Sequence, residues 1–84
     1  MNDSKDLKLR NRLMNSKIWV GDNPKKIRKL QERLFELGFS WSGNVRKVKY
    51  EDELQYLVLY SDLTICYGRS KESYYDEEQK EVTI

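Results

Sequence analysis

The 84-residue sequence predicts an α+β domain, one main helix packed on a small, mostly antiparallel sheet, in the order β-α-β-β-β-(α)-β. Three observations lead there. Positions 24–37 carry a helical stripe of apolar residues between a capping residue and a glycine. Two apolar runs, "LQYLVLY" and "LTICYG", are joined by the turn-forming pair Ser61-Asp62. Short extended segments flank both units. A chain of this length builds one core and not two, because it buries too little of its surface to divide. Residues 17–84 are read as that single domain, and residues 1–16 as an N-terminal extension, a short helix or a flexible arm.

Along the chain, residues 1–16 space Leu7, Leu9, Leu13 and Met14 only loosely among polar groups. "KIWV" (17–20) is a brief β-branched and aromatic run ended by "GDN", a first strand and its turn. Asn23 is a good N-cap and Pro24 is pre-organised for the first helical position. Ile27, Leu30, Leu34 and Leu37 then fall on one helical stripe that Phe35 widens. Gly38 suits the left-handed position after a helix, and Phe39 folds back on the last turn. "FSWSGNVRKVKY" reads as two short extended segments around Ser42-Gly43-Asn44, with Phe39 and Trp41 on one face of the first. In the hairpin that follows, Leu57 and Leu59 point opposite to Tyr56, Val58 and Tyr60, so both faces are apolar. One face covers the helix; the other must meet the N-terminal arm, the tail or another subunit. Ser73 and Asp76 stand at capping-box spacing, so a helical turn is expected from Ser73. "EVTI" is read as a short final strand.

The formal net charge of +2 is divided unevenly. Residues 1–49 hold thirteen Lys or Arg against five Asp or Glu, a net of +8, while residues 50–84 hold three against nine, a net of −6. Such asymmetry points to polyanion binding or to head-to-tail contact between copies, and otherwise to two solvated faces that differ. The stretch "KKIRKLQERLFELGFSW" (25–41) concentrates the positive half, with five cations in its first nine positions. Packing the apolar stripe turns Lys25, Lys26, Arg28, Lys29 and Arg33 towards water. A merely solvated face gains by mixing signs at i,i+4, yet the acids here arrive only at Glu32 and Glu36. Four cations in the first turns also oppose the helix macrodipole. A local rule broken without structural gain marks a functional surface.

No catalytic set accompanies that surface, and an enzyme is not expected. The chain has no histidine, hence neither the commonest general base nor the commonest metal ligand. Its one cysteine, Cys66, precludes an intramolecular disulfide and a thiolate zinc site, fits a reducing compartment, and alternates with Ile65 and Tyr67 as a packed strand residue. Glu51-Asp52-Glu53 and Asp76-Glu77-Glu78 lack the alternating ligands and the glycine of a calcium loop, and Gly43 and Gly68 are too isolated for a phosphate cradle. No cofactor is expected. No apolar stretch reaches signal-peptide or membrane-span length, so neither secretion nor a membrane partner is expected, and the cytoplasm is the assigned compartment.

Binding remains. Lys25, Lys26, Arg28, Lys29, Arg33, Arg46, Lys47 and Lys49 form one basic surface if a strand at 45–50 lies beside the helix. Trp41 or a tyrosine at its edge would then stack on an unpaired base. The plain alternative is that Trp41, Tyr56 and Tyr60 are ordinary core or sheet-face aromatics. The pI of 8.7 lies below the range above about 9 that marks dedicated nucleic-acid domains.

The segments "KIWVGDNPKKIRKLQERLFELGFSWSGN", "LYSDLTICYGRSKESYY" and "KEVTI", with their "LF-LG--W" helix end and "YG-S-E-Y" pattern, resemble small accessory proteins of large tailed phages of the T-even type. The resemblance covers about residues 17–84. Proteins of that setting commonly neutralise host defences. One type, the TifA-like inhibitors of the ToxN endoribonuclease toxin, acts as RNA-binding proteins. The resemblance therefore implies a non-enzymatic antidefence protein of the host-cell cytoplasm whose partners are RNA and a host toxin or defence protein. It transfers no functional residue. Two other readings stand beside it. In one, the acidic half from Glu72 to Glu81 imitates a nucleic-acid backbone and plugs a basic active site. In the other, the chain forms a homo-oligomer that sequesters a small ligand between subunits.

Overall fold

A computed structural model of the chain describes residues 3–83, with side chains from Lys5 onwards. The elements run α1 (Asp3–Leu13), β1 (Ser16–Trp19), α2 (Pro24–Glu36), β2 (Ser40–Trp41), β3 (Tyr56–Leu59), β4 (Thr64–Gly68), α3 (Lys71–Asp76) and β5 (Lys80–Glu81). The α+β class and the element order from β1 onwards match the sequence reading. Of the expected final strand "EVTI", only Glu81 lies in β5, and Ile84 lies outside the described residues.

The N-terminal segment is a helix rather than an arm. Leu13 is fully buried in the main core, Leu9 and Met14 pack against it, and the Asp6 carboxylate pairs with Arg33 at 2.9 Å. Ser16 already belongs to β1, where it stands opposite Leu59 and Lys80. α2 begins as its caps dictate, with the Asn23 side chain accepting the Lys26 N–H at 3.2 Å. It ends with Gly38 at φ +104°, and the Phe39 N–H returns to the Leu34 carbonyl at 2.9 Å. Phe39 is thereby delivered, fully buried, into the core.

The five strands lie in the order β2-β4-β3-β1-β5. The central pairings, β1 with β3 and β3 with β4, are antiparallel, whereas both outer pairings, β2 with β4 and β1 with β5, are parallel. The sheet is therefore mixed. Short turns join only antiparallel neighbours, and the strands at the rims are reached by longer connections that let them arrive parallel. Between β3 and β4 the turn takes three residues instead of two. Leu63 adopts φ +69°, and the Asp62 carboxylate accepts the Thr64 N–H at 3.0 Å. Ser-Asp offers no glycine for a primed two-residue turn, and the longer loop with one left-handed residue is the next choice.

Alternation along the strands divides the apolar residues between two faces. Ile18, Val20, Leu57, Leu59 and Ile65 join Leu13 of α1 and Ile27, Leu30 and Leu34 of α2 in the main core. Tyr56 and Val58 face the other way and are covered by Tyr74 of α3, with Trp19 and Tyr60 packed alongside. Of the expected covers for this second face, the tail is the one found. Gly68 stands opposite Tyr56, where a Cβ would come within 2.1 Å of the phenol ring, so the close approach requires glycine.

Two expectations are corrected. α3 starts at Lys71 with Ser70 as its N-cap, accepting the Ser73 N–H at 3.1 Å. Ser73 cannot cap because its hydroxyl is engaged with that of Tyr56. Residues 45–50 form no strand beyond an isolated bridge between Val45 and Trp41. Among the described residues no helix is long and apolar enough to cross a membrane.

Candidate nucleic-acid interface

Burial of Ile27, Leu30, Gln31 and Leu34 leaves Lys25, Lys26, Arg28 and Lys29 exposed on α2, and no acid stands in its first turn. The two arginines of α2 are neutralised. Arg28 grips the Glu51 carboxylate with two guanidinium nitrogens at 3.0 and 3.2 Å. Arg33 donates to Asp6 at 2.9 Å and to Glu36 at 3.1 Å, and these hydrogen bonds raise its guanidinium above the ordinary value. Among the described residues Lys25, Lys26 and Lys29 make no ion pair.

The segment expected to extend this surface does lie beside the helix, held by a side chain instead of a sheet. Gln31 is fully buried in the apolar stripe. Its Nε2 donates to the Lys49 carbonyl at 2.6 Å, and its Oε1 accepts the Lys49 N–H at 2.9 Å and the Trp41 Nε1–H at 3.2 Å. With its backbone groups satisfied by that amide, Lys49 needs no neighbouring strand. Arg46 and Lys47 are exposed on the same loop. Glu51, and Glu32 beside it, line a hollow with Lys25, Arg28 and Lys29, so carboxylates interrupt the cationic surface where loop and helix meet.

Trp41 is corrected as a stacking residue. It is 6% exposed, its ring nitrogen is engaged by Gln31, and Tyr50 and Tyr67 meet it edge-on with centroids at 5.2 and 6.1 Å. It offers no open face to a base. Lys17 is likewise removed from the basic half, with its amine donating to the carbonyls of Tyr74 at 2.7 Å and Glu77 at 3.3 Å.

Two features escape a reading by pattern. Tyr50, exposed and at φ +60°, stacks on Tyr67 at 4.3 Å, a left-handed conformation that costs a bulky residue about 1–3 kcal/mol. The second is a cleft of about 290 Å³ between α2 and β1, with Ile18, Trp19 and Leu30 as apolar lining and Lys26, Lys29 and Arg33 along its rim. "KIWV" announces a strand, but nothing local says that the end of this strand will border a cleft beside the helix lysines.

Cys66, expected as a packed strand residue, is exposed at its position in β4, and partial desolvation beside Tyr60 still pushes its thiol above the ordinary value, so at neutral pH it is protonated and a poor nucleophile. Among the described residues no three His, Cys, Asp or Glu gather closely enough to hold a metal ion. No protein-family model matches the chain, and no curated protein or solved structure matches it either.

Proposed function

We propose that this chain is a non-enzymatic, phage-encoded antidefence protein that binds RNA through the cationic face of α2 and, with that RNA, holds a host toxin endoribonuclease inactive. The observation that carries the RNA-binding part is the division of charge on α2, where Arg28 and Arg33 are neutralised by carboxylates while, among the described residues, Lys25, Lys26 and Lys29 are not. Three unpaired ammonium groups at the start of a helix repel one another and the helix dipole. Phosphates relieve that repulsion, and the release of their counterions supplies the binding free energy. The resemblance of residues 17–84 to accessory proteins of T-even-type phages supports the setting and the toxin target.

A titration by fluorescence anisotropy with single-stranded RNA, duplex RNA and duplex DNA, at two salt concentrations, tests the binding. Affinity should fall steeply with salt. The combined variant Lys25→Glu, Lys26→Glu, Lys29→Glu should flatten the logarithmic salt slope by about 2, since each phosphate contact on a single strand contributes roughly 0.7. An unchanged slope in that variant refutes the surface. Co-expression with a ToxN-type endoribonuclease tests the target, with growth restored by the wild-type chain and not by the variant.

A further inference from the structure

We infer that the cleft between α2 and β1 receives Tyr75 of a second copy of this chain, so that the protein associates head to tail through its cationic and acidic faces. The contact involves protein alone and does not rest on the RNA-binding reading above. Ile18 and Leu30 belong to the lining of the cleft, Lys26 and Lys29 stand on its rim, and among the described residues no carboxylate lines it. β5 pairs only with Ser16 and Lys17, so among the described residues no strand closes the cleft at the rim of β1. Its volume of about 290 Å³ is at the small end of the roughly 300–1,000 Å³ of ligand pockets, and so suits one inserted side chain better than a larger body.

α3 presents the complement. Tyr74 is buried against the sheet while Tyr75, next to it, stays outside; at 68% exposure it is the barest large apolar side chain among the described residues. Tyr74 meets its ring edge-on at 5.8 Å, which restrains the phenol before any partner arrives. Glu72, Asp76 and Glu78 stand around it along the chain, all exposed, and among the described residues they make no ion pair. An anion alone would leave the apolar lining of the cleft uncovered, and a neutral apolar side chain would leave Lys26 and Lys29 unmatched. A tyrosine flanked by carboxylates satisfies both parts, its ring against the lining and the acids against the lysines.

α2 and α3 pack on opposite faces of the sheet, so a copy that inserts Tyr75 into one neighbour offers its own cleft to another. Such a heterologous contact closes into a ring or runs on as an open chain. One side chain and a charged rim bury less than the roughly 1,000 Å² of a stable interface, so the association is weak, with a dissociation constant in the micromolar to millimolar range, and it strengthens as salt is lowered.

Sedimentation velocity of the nuclease-treated full chain, from about 10 μM to about 1 mM and at two salt concentrations, tests the contact. The mean mass should rise with concentration and fall with salt. Tyr75→Ala should weaken the association by about tenfold or more, and the combined Lys26→Glu, Lys29→Glu variant by about as much. Both variants change exposed side chains, so the fold is kept. Mixing the two should restore one contact of wild-type affinity, between Tyr75 of the lysine variant and the intact cleft of Tyr75→Ala, and assembly should stop at the mixed dimer. A wild-type chain that stays monomeric throughout at low salt overturns the inference, as does association that survives Tyr75→Ala or a mixture that remains monomeric. No nucleic acid is present, so these outcomes leave the RNA-binding reading to its own titration.

Discussion

Gln31 is fully buried on the apolar side of α2, and its amide meets both backbone groups of Lys49 and the indole N–H of Trp41. One side chain therefore does for residues 45–50 what a sheet neighbour would have done. Replacing it with leucine preserves the apolar volume but leaves three polar groups without a partner. Unmade hydrogen bonds to part-buried groups cost about 1–3 kcal/mol each, reduced where water reaches them, so Gln31→Leu should lower stability by about 2–4 kcal/mol. Chemical denaturation measures that loss, and hydrogen exchange should show the Lys49 amide losing protection while α2 keeps its own. A stability change below about 0.5 kcal/mol, the range of ordinary surface substitutions, would mean that the loop is held by other contacts. The stripe Ile27, Leu30, Leu34 and Leu37 was legible from its spacing. That a glutamine within it would organise a distant loop was not, because amide partners are chosen in space and not along the chain.

At the scale of elements, α2 and α3 are held by different means. α2 is specified locally by its Asn23 cap, Pro24, its stripe and Gly38, and its boundaries matched the reading closely. α3 has only six residues and depends on docking. Tyr74 is buried against Tyr56 and Val58, its hydroxyl donates to Glu81 at 2.6 Å, and the Lys17 amine donates to the Tyr74 and Glu77 carbonyls at the end of the helix. Burial first, and then the bond to Glu81, raise the Tyr74 phenol above its ordinary value. The fold thus favours the protonated phenol. The associated stability is fully present below the unfolded pKa of about 10 and is lost as pH rises beyond it. Unfolding free energy measured across pH 8 to 12 should be level at first and then fall. Tyr74→Phe should show a shallower fall, the remainder including Tyr60, which burial also raises. Equal slopes in the two proteins would mean that α3 does not depend on this phenol.

For the whole molecule, the three-layer arrangement turns an asymmetry along the chain into one across space. α2, with its lysines, packs on one face of the sheet, and α3, with exposed Glu72 and Asp76, packs on the other. A polyanion approaching such a molecule is guided to the α2 side. α1 belongs to the same body, and Leu13→Ala should cost about 2–5 kcal/mol, as core truncations of leucine do. For a domain of this size each kcal/mol shifts the thermal midpoint by about 4–8 °C, and calorimetry would register it. An unchanged midpoint would restore the picture of a detachable arm. The sequence by itself determined the α+β class, most element positions and the uneven charge, since caps, periodicity and turn residues act within a few positions. Only the tertiary structure decided which cations find partners. Arg28 meets Glu51 across 23 residues, Arg33 meets Asp6 across 27, and Lys17 meets the Tyr74 carbonyl across 57. Such partners are set by how the layers pack, and no local pattern connects them.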